Sequence, residues 1–206
     1  LDVSPPANTN TQKCIEEINT TTPWAKRAMK RFHETHPKYG HTQILIPIVQ
    51  GGTDKSLRTQ SVMELCELDA QAYAIGGLAV GEPKPAMLEA VEWMDEFLPK
   101  EKPRYLMGVG TPADLVNNVA RGVDMFDCVI PTRSGRTGLA YTWNGKINIR
   151  NSKYQNDNEP LDPKCSNLSL NKYSKNYLNH LFNTNEILAS MILTLHNINF
   201  YQELMT

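Results

Sequence analysis

Between residues 43 and 131 the sequence alternates short apolar runs with segments of helical spacing, and this alternation restricts the chain to very few folds. The apolar runs are QILIPIVQGG (43–52), AYAIGGLAVGEP (72–83), RYLMGVGTP (104–112) and DMFDCVIP (124–131). Between them, DKSLRTQSVMELCELD (54–69), KPAMLEAVEWMDEFL (84–98) and PADLVNNVARGV (112–123) carry apolar residues at helical intervals. In the first of these, Leu57, Val62, Leu65 and Leu68 fall on or near one face. A further helix is expected over 9–36, with Ile15, Ile18, Trp24, Ala28 and Phe32 turned inward and Pro23 as a candidate break. Strands that are apolar on both faces and alternate with helices indicate parallel βα units. A doubly wound sheet and a (β/α)8 barrel both satisfy that pattern, and in both the ligand sits at the carboxyl ends of the strands.

Those ends read Gln50-Gly51-Gly52, Gly76-Gly77-Leu78-Ala79, Met107-Gly108-Val109-Gly110 and Asp127-Cys128. Glycine at three of the four lets backbone approach a flat ligand closely, although each pair also suits an ordinary βα turn. Asp127 is either a loop cap or a catalytic carboxylate held at the rim of the sheet. Its neighbour Cys128 reads as a small packed hydrophobe. Charge narrows the partners: 21 Lys and Arg against 22 Asp and Glu leave a net charge of -1, so any nucleic-acid contact must be local. Cys14, Cys66, Cys128 and Cys165 are far apart in sequence, which favours thiols and a cytoplasmic setting over a disulfide framework. No apolar run approaches the roughly 20 residues of a membrane helix, so no membrane partner is expected.

After Asp127 the alternation stops. Asn144-Gly145 between two strand-like runs marks a hairpin over 138–151, an Asn-rich loop follows, and 176–205 has helical spacing. The sequence therefore divides into 1–137, a partial (β/α) unit carrying the strand ends, and 138–206, a subdomain of hairpin and helices.

The motifs VQGG, AIGGLAVGEP, YLMGVGTP, FDCVIPTRSGRTG, NIRNSKY with PLD, YSKNYLNHLF and LHNINFYQ, in that order and spacing, resemble the bacterial tRNA-guanine transglycosylases over nearly the whole chain. The resemblance implies an α/β fold, a (β/α)8 TIM barrel of which this chain lacks the N-terminal strands, with an inserted zinc-binding subdomain. It implies replacement of guanine at the anticodon wobble position by 7-aminomethyl-7-deazaguanine, in queuosine biosynthesis. On this likeness Asp127 is the nucleophile. Asp2, Gln50, Gly76, Gly77, Leu78, Val80 and Met107 line the base pocket. A guanine-like edge offers N–H donors and a carbonyl acceptor, so a carboxylate, an amide and backbone N–H groups suit it. Val80 stands where a branched residue excludes the bulkier queuine. Arg133 and Arg136 match contacts to the tRNA anticodon loop, for which planar guanidinium groups are suited.

The metal site departs from the family's pattern of three cysteines and a histidine. Cys165 and His196 are in place, whereas Asn167 and Leu170 stand where two thiolates belong. Two ligands of four do not hold structural zinc, so no zinc, or weak binding at best, is expected. The family's subdomain supports tRNA docking and homodimer contacts, and both become open expectations here. Three readings follow: an active transglycosylase of which this is the central and C-terminal part, inactive in isolation; a non-catalytic partner subunit that binds tRNA or the other subunit; or a degenerate or truncated gene product with no stable activity.

Overall fold

A computed structural model describes residues 11–167 and 169–206. The chain forms two compact units, Leu1–Cys128 and Val129–Thr206. It is of mixed α/β type, with a parallel sheet and, among the described residues, seven α-helices.

In the first unit, α1 (Thr11–Glu34), α2 (Lys55–Cys66), α3 (Lys84–Phe97) and α4 (Pro112–Val119) alternate with β1 (Ile48–Val49), β2 (Tyr73–Ile75), β3 (Arg104–Leu106) and β4 (Met125–Phe126). All strand pairs are parallel and the spatial order is β1-β2-β3-β4, the order of the sequence. The expected βα units are therefore present, with paired segments shorter than the apolar runs that announced them. Helix starts follow local chemistry. Asp54 caps α2 by accepting from Ser56 N and Leu57 N, and Thr111 caps α4 by accepting from Asp114 N. Pro23 does not end α1, which continues through it to Glu34. The inner face of α1 is also rotated from expectation: Ala28 is exposed and Met29 is buried instead.

One face of the sheet carries the core. Val49, Tyr73, Ile75 and Leu106 pack with Met29 of α1, Val62 and Leu65 of α2, and Met87, Ala90, Val91 and Met94 of α3. At about 25 cal/mol per Å² of apolar surface removed from water, this cluster is the main stabilising element of the unit.

The second unit contains α5 (Ile130–Thr137), the antiparallel hairpin β5 (Leu139–Thr142) and β6 (Gly145–Asn148), a 3-10 turn at Ser152–Tyr154, α6 (Lys175–Asn183) and α7 (Ile187–Leu204). The hairpin lies where Asn144-Gly145 predicted it. One expectation is corrected: the strand expected over 124–131 ends at Phe126, and its last residues open α5. The helical spacing over 176–205 corresponds to α6 and α7, with Asn185 between them at φ 59. Ala140, Ile149, Leu161, Leu178, Phe182 and Leu193 form the core of this unit.

Candidate functional site

The strand register assembles the site. Ile48, Ala74, Tyr105 and Met125 lie across from one another, and so do Val49, Ile75, Leu106 and Phe126 one residue later. The next residue in each strand is Gln50, Gly76, Met107 and Asp127. Hydrogen bonds from Gly76 N to the Val49 carbonyl (3.0 Å) and from Met107 N to the Ile75 carbonyl (3.3 Å) carry the ladder into this row. Side chains alternate between faces along a strand, so this row shares the face of Ile48, Ala74, Tyr105 and Met125, opposite the helix core. Four positions distant in sequence thus become neighbours at the carboxyl edge of the sheet.

Asp127 is exposed there, and one of its carboxylate oxygens is fixed. Oδ1 accepts from the Tyr105 hydroxyl at 2.7 Å and from Gly108 N at 2.8 Å. Among the described residues Oδ2 has no hydrogen-bond partner. Tyr105 reaches Asp127 because it pairs with Met125, two residues earlier on the same face. Burial, then the hydrogen bond to Asp127, pushes the Tyr105 phenol up to about 12, so it remains a donor at any physiological pH. Gly110 lies against Cys128, whose Cβ stands 2.1 Å from where a Cβ on Gly110 would be, which fits a packed thiol.

The other strand ends close around an amide. Gln50 is buried, and its backbone N donates to Ser61 Oγ at 3.1 Å. A Cβ on Gly76 would lie 2.9 Å from Gln50 Nε2, and one on Gly77 would lie 2.6 Å from Gln50 Oε1. Gly77 also takes φ 64, so only glycine fits both the conformation and the contact. Leu78 is buried, Met107 is half-buried, and Val80 is 41% exposed. Ala79 N and Val80 N donate to the two carboxylate oxygens of Glu82, at 2.5 and 3.0 Å, fixing the turn after Leu78. The structure thus brings Gln50, Gly76, Gly77, Met107 and Asp127 to one edge, with Leu78 and Val80 in the adjoining turn. Asp2 lies outside the described residues.

Arg133 and Arg136 belong to the second unit. Both are exposed, three residues apart on α5, so both can reach a ligand on that helix's side. In the same unit, the residues at the zinc positions do not fit a metal. Among the described residues no three His, Cys, Asp or Glu side chains are grouped to hold an ion. His196 is buried, and its Nε2 donates to the Tyr141 carbonyl at 2.8 Å, which leaves the ring's lone pair on Nδ1. Burial also moves His196 below its ordinary pKa and raises the Cys165 thiol. Cys165 Sγ instead accepts from Asn199 Nδ2 at 3.4 Å, and Leu170 is a core residue.

A carboxylate ties this region together. Glu203 accepts from Ser166 N (2.9 Å), the Ser166 hydroxyl, Trp143 Nε1 (3.1 Å) and Asn199 Nδ2 (2.6 Å). It joins Trp143 of the hairpin turn, Ser166 and α7. These hydrogen bonds, that to the Ser166 hydroxyl above all, bring its pKa down to about 2.

Sequence reasoning did not single out Tyr105, Glu82 or Glu203, whose hydrogen bonds hold Asp127, the turn after Leu78 and the second unit. Tyr105 was discoverable, being a polar-tipped aromatic two residues before Met107 on the same strand face. The roles of the others depend on tertiary approach.

Comparison with known proteins gives a consistent answer. The family described as Queuine tRNA-ribosyltransferase matches residues 1–206. A protein of that name from Rickettsia bellii (strain OSU 85-389) is 50% identical over 196 residues, covering 93% of this chain and 53% of the relative. One from Rickettsia prowazekii (strain Madrid E) is 46% identical over 208 residues, covering 100% of this chain and 56% of the relative. The chain spans about half the length of the curated relatives it matches.

Proposed function

We propose that this chain, which belongs to the queuine tRNA-ribosyltransferase family, carries the nucleophile and much of the base-reading edge of a tRNA-guanine transglycosylase acting in queuosine biosynthesis. The observation that carries the reading is the Asp127 carboxylate at a strand end, with Oδ1 held by Tyr105 and Gly108. Oδ2 attacks C1′ of the wobble ribose as the C1′–N9 bond breaks, and guanine leaves with the bonding pair and takes a proton from water. The covalent ribosyl ester keeps the RNA backbone intact. The incoming 7-aminomethyl-7-deazaguanine then attacks C1′ through N9, loses its N9 proton to water, and releases Asp127. Two inversions retain the configuration. Gln50 and the backbone at Gly77 and Leu78 read the polar edge of the base, Met107 packs on its face, and Val80 keeps out larger 7-substituents.

The wider architecture fits the same reading. A sequentially ordered parallel sheet with α1, α2 and α3 packed on one face is what part of a (β/α)8 barrel wall requires, whereas a doubly wound sheet reverses its order. On this reading residues 1–137 form the barrel part and 138–206 a zinc-type subdomain that does without its metal. The alternative, a non-catalytic partner subunit, draws on Asn167 and Leu170 standing in place of thiolates.

Labelled-guanine exchange into tRNA by the full-length gene product tests the proposal, and absence of exchange with tRNA still bound would favour the alternative. Tyr105→Phe is expected to slow exchange about tenfold, the loss of one hydrogen bond to an ionised group, with tRNA affinity unchanged. A slowing under twofold would remove Tyr105 from the mechanism. Arg133→Ala with Arg136→Ala is expected to weaken tRNA binding at every sequence tested. The slope of log affinity against log salt should fall by about 0.7 for each phosphate no longer neutralised. An unchanged slope would show that neither guanidinium meets the phosphate backbone.

A further inference from the structure

Arg58 of α2 is 0% exposed, and among the described residues no carboxylate lies within ion-pair distance of it. Removing a guanidinium from water without a paired carboxylate costs stability that an apolar side chain of similar volume would not. Its hydrogen bonds indicate what the cost supports. Nε donates to the Gly52 carbonyl at 2.7 Å and Nη2 to the Gly76 carbonyl at 2.9 Å, while Nη1 has no partner among the described residues.

Those two carbonyls belong to the neighbouring ends of β1 and β2. The backbone ladder between these strands reaches its last bond at Gly76 N to the Val49 carbonyl. Beyond that bond Arg58 bridges the two ends. The α2 backbone is brought close enough for this by Gly51, where a Cβ would lie 2.7 Å from Arg58 N. A trans peptide points its C=O and its N–H in opposite directions. With the Gly76 carbonyl turned toward Arg58, the Gly77 N–H is turned away from it.

We propose that Arg58 is a positioning residue for base recognition: by holding the Gly76 and Gly52 carbonyls it orients the Gly77 N–H and fixes the separation between Gln50 and Gly77. This rests on the base-site reading above. Arg58 does not touch the base. It acts through the peptide that does.

The test uses the full-length gene product with Arg58→Lys and Arg58→Met, each checked for folding by thermal denaturation. Guanine is the probe, in calorimetric binding and as the varied substrate at saturating tRNA. Arg58→Met is expected to raise both Kd and KM for guanine about tenfold, while KM for tRNA stays within about twofold. Arg58→Lys, which keeps the charge but lacks the planar guanidinium fork that meets both carbonyls, should fall between Met and the parent and serves as the folded variant if Met does not fold. Unchanged guanine Kd and KM, with kcat falling only in step with the folded fraction, would overturn the proposal and leave Arg58 a structural residue. Asp127→Asn is run in parallel. If that variant still exchanges guanine, only the nucleophile assignment fails; if the parent does not bind guanine, the base-site reading fails and this proposal fails with it. If Asp127→Asn is inactive while the Arg58 variants bind guanine normally, only the Arg58 proposal fails.

Discussion

Asp127→Asn is expected to lower guanine exchange by about a thousandfold or more while leaving the fold and tRNA affinity intact. The substitution is nearly isosteric, and the asparagine carbonyl can still accept from the Tyr105 hydroxyl and Gly108 N, which hold Oδ1 in the parent. What it removes is the second, ionised oxygen that would form the ester to C1′. An amide is a far weaker nucleophile, and no other carboxylate among the described residues occupies the row Gln50, Gly76, Met107 and Asp127. The measurement is labelled-guanine incorporation beside tRNA binding, both on the full-length gene product. Exchange within tenfold of the parent would remove Asp127 from the role of nucleophile and return it to that of a loop cap.

Glu203→Ala is expected to destabilise the second unit by about 2 kcal/mol, and a strong chelator is expected to leave the parent's thermal transition where it was. The figure follows from losing several hydrogen bonds to a charged acceptor at a half-buried site. Glu203 receives donors from Trp143 of the hairpin region, Ser166 of the loop and Asn199 of α7. The pH dependence has a definite sign. The folded pKa of about 2 lies below the ordinary 4.5, so the contribution is fully present above pH 4.5 and is lost as pH falls toward 2. Glu203→Ala should therefore flatten the acid limb of the stability profile. A chelator-sensitive transition, or an unchanged acid limb in the variant, would contradict the assignment of Glu203 as the tie.

Much of the first unit was legible because parallel βα units write both periods into the chain: apolar runs for strands buried on both faces, and helical spacing between them. The strand ends were legible for the same reason, since glycine clusters and Asp127 terminate the runs. The features that were not legible depend on approach between distant segments. Helix α5 is the clearest case. The sequence reads as a strand to Pro131, yet proline is well placed in a first helical turn, and Gly138, left-handed at φ 92, caps the end. Gly135 is required because a Cβ there would lie 2.7 Å from Thr194 Cα of α7. That closeness is a property of packing and leaves no local mark. The same holds for Arg58 and Glu203. A charged residue on a helix reads as a solvated one until its partners are known, and here the most distant partners are 18 residues away for Arg58 and 60 for Glu203.

The most direct measurement of the central claim is to quench the full-length gene product during steady-state exchange on tRNA, digest protein and RNA, and locate the ribosyl-bearing peptide by mass spectrometry. A nucleotide ester on Asp127, absent in Asp127→Asn, is the predicted result. An ester on a different carboxylate, or rapid exchange with no protein-bound ribose at any time, would contradict it.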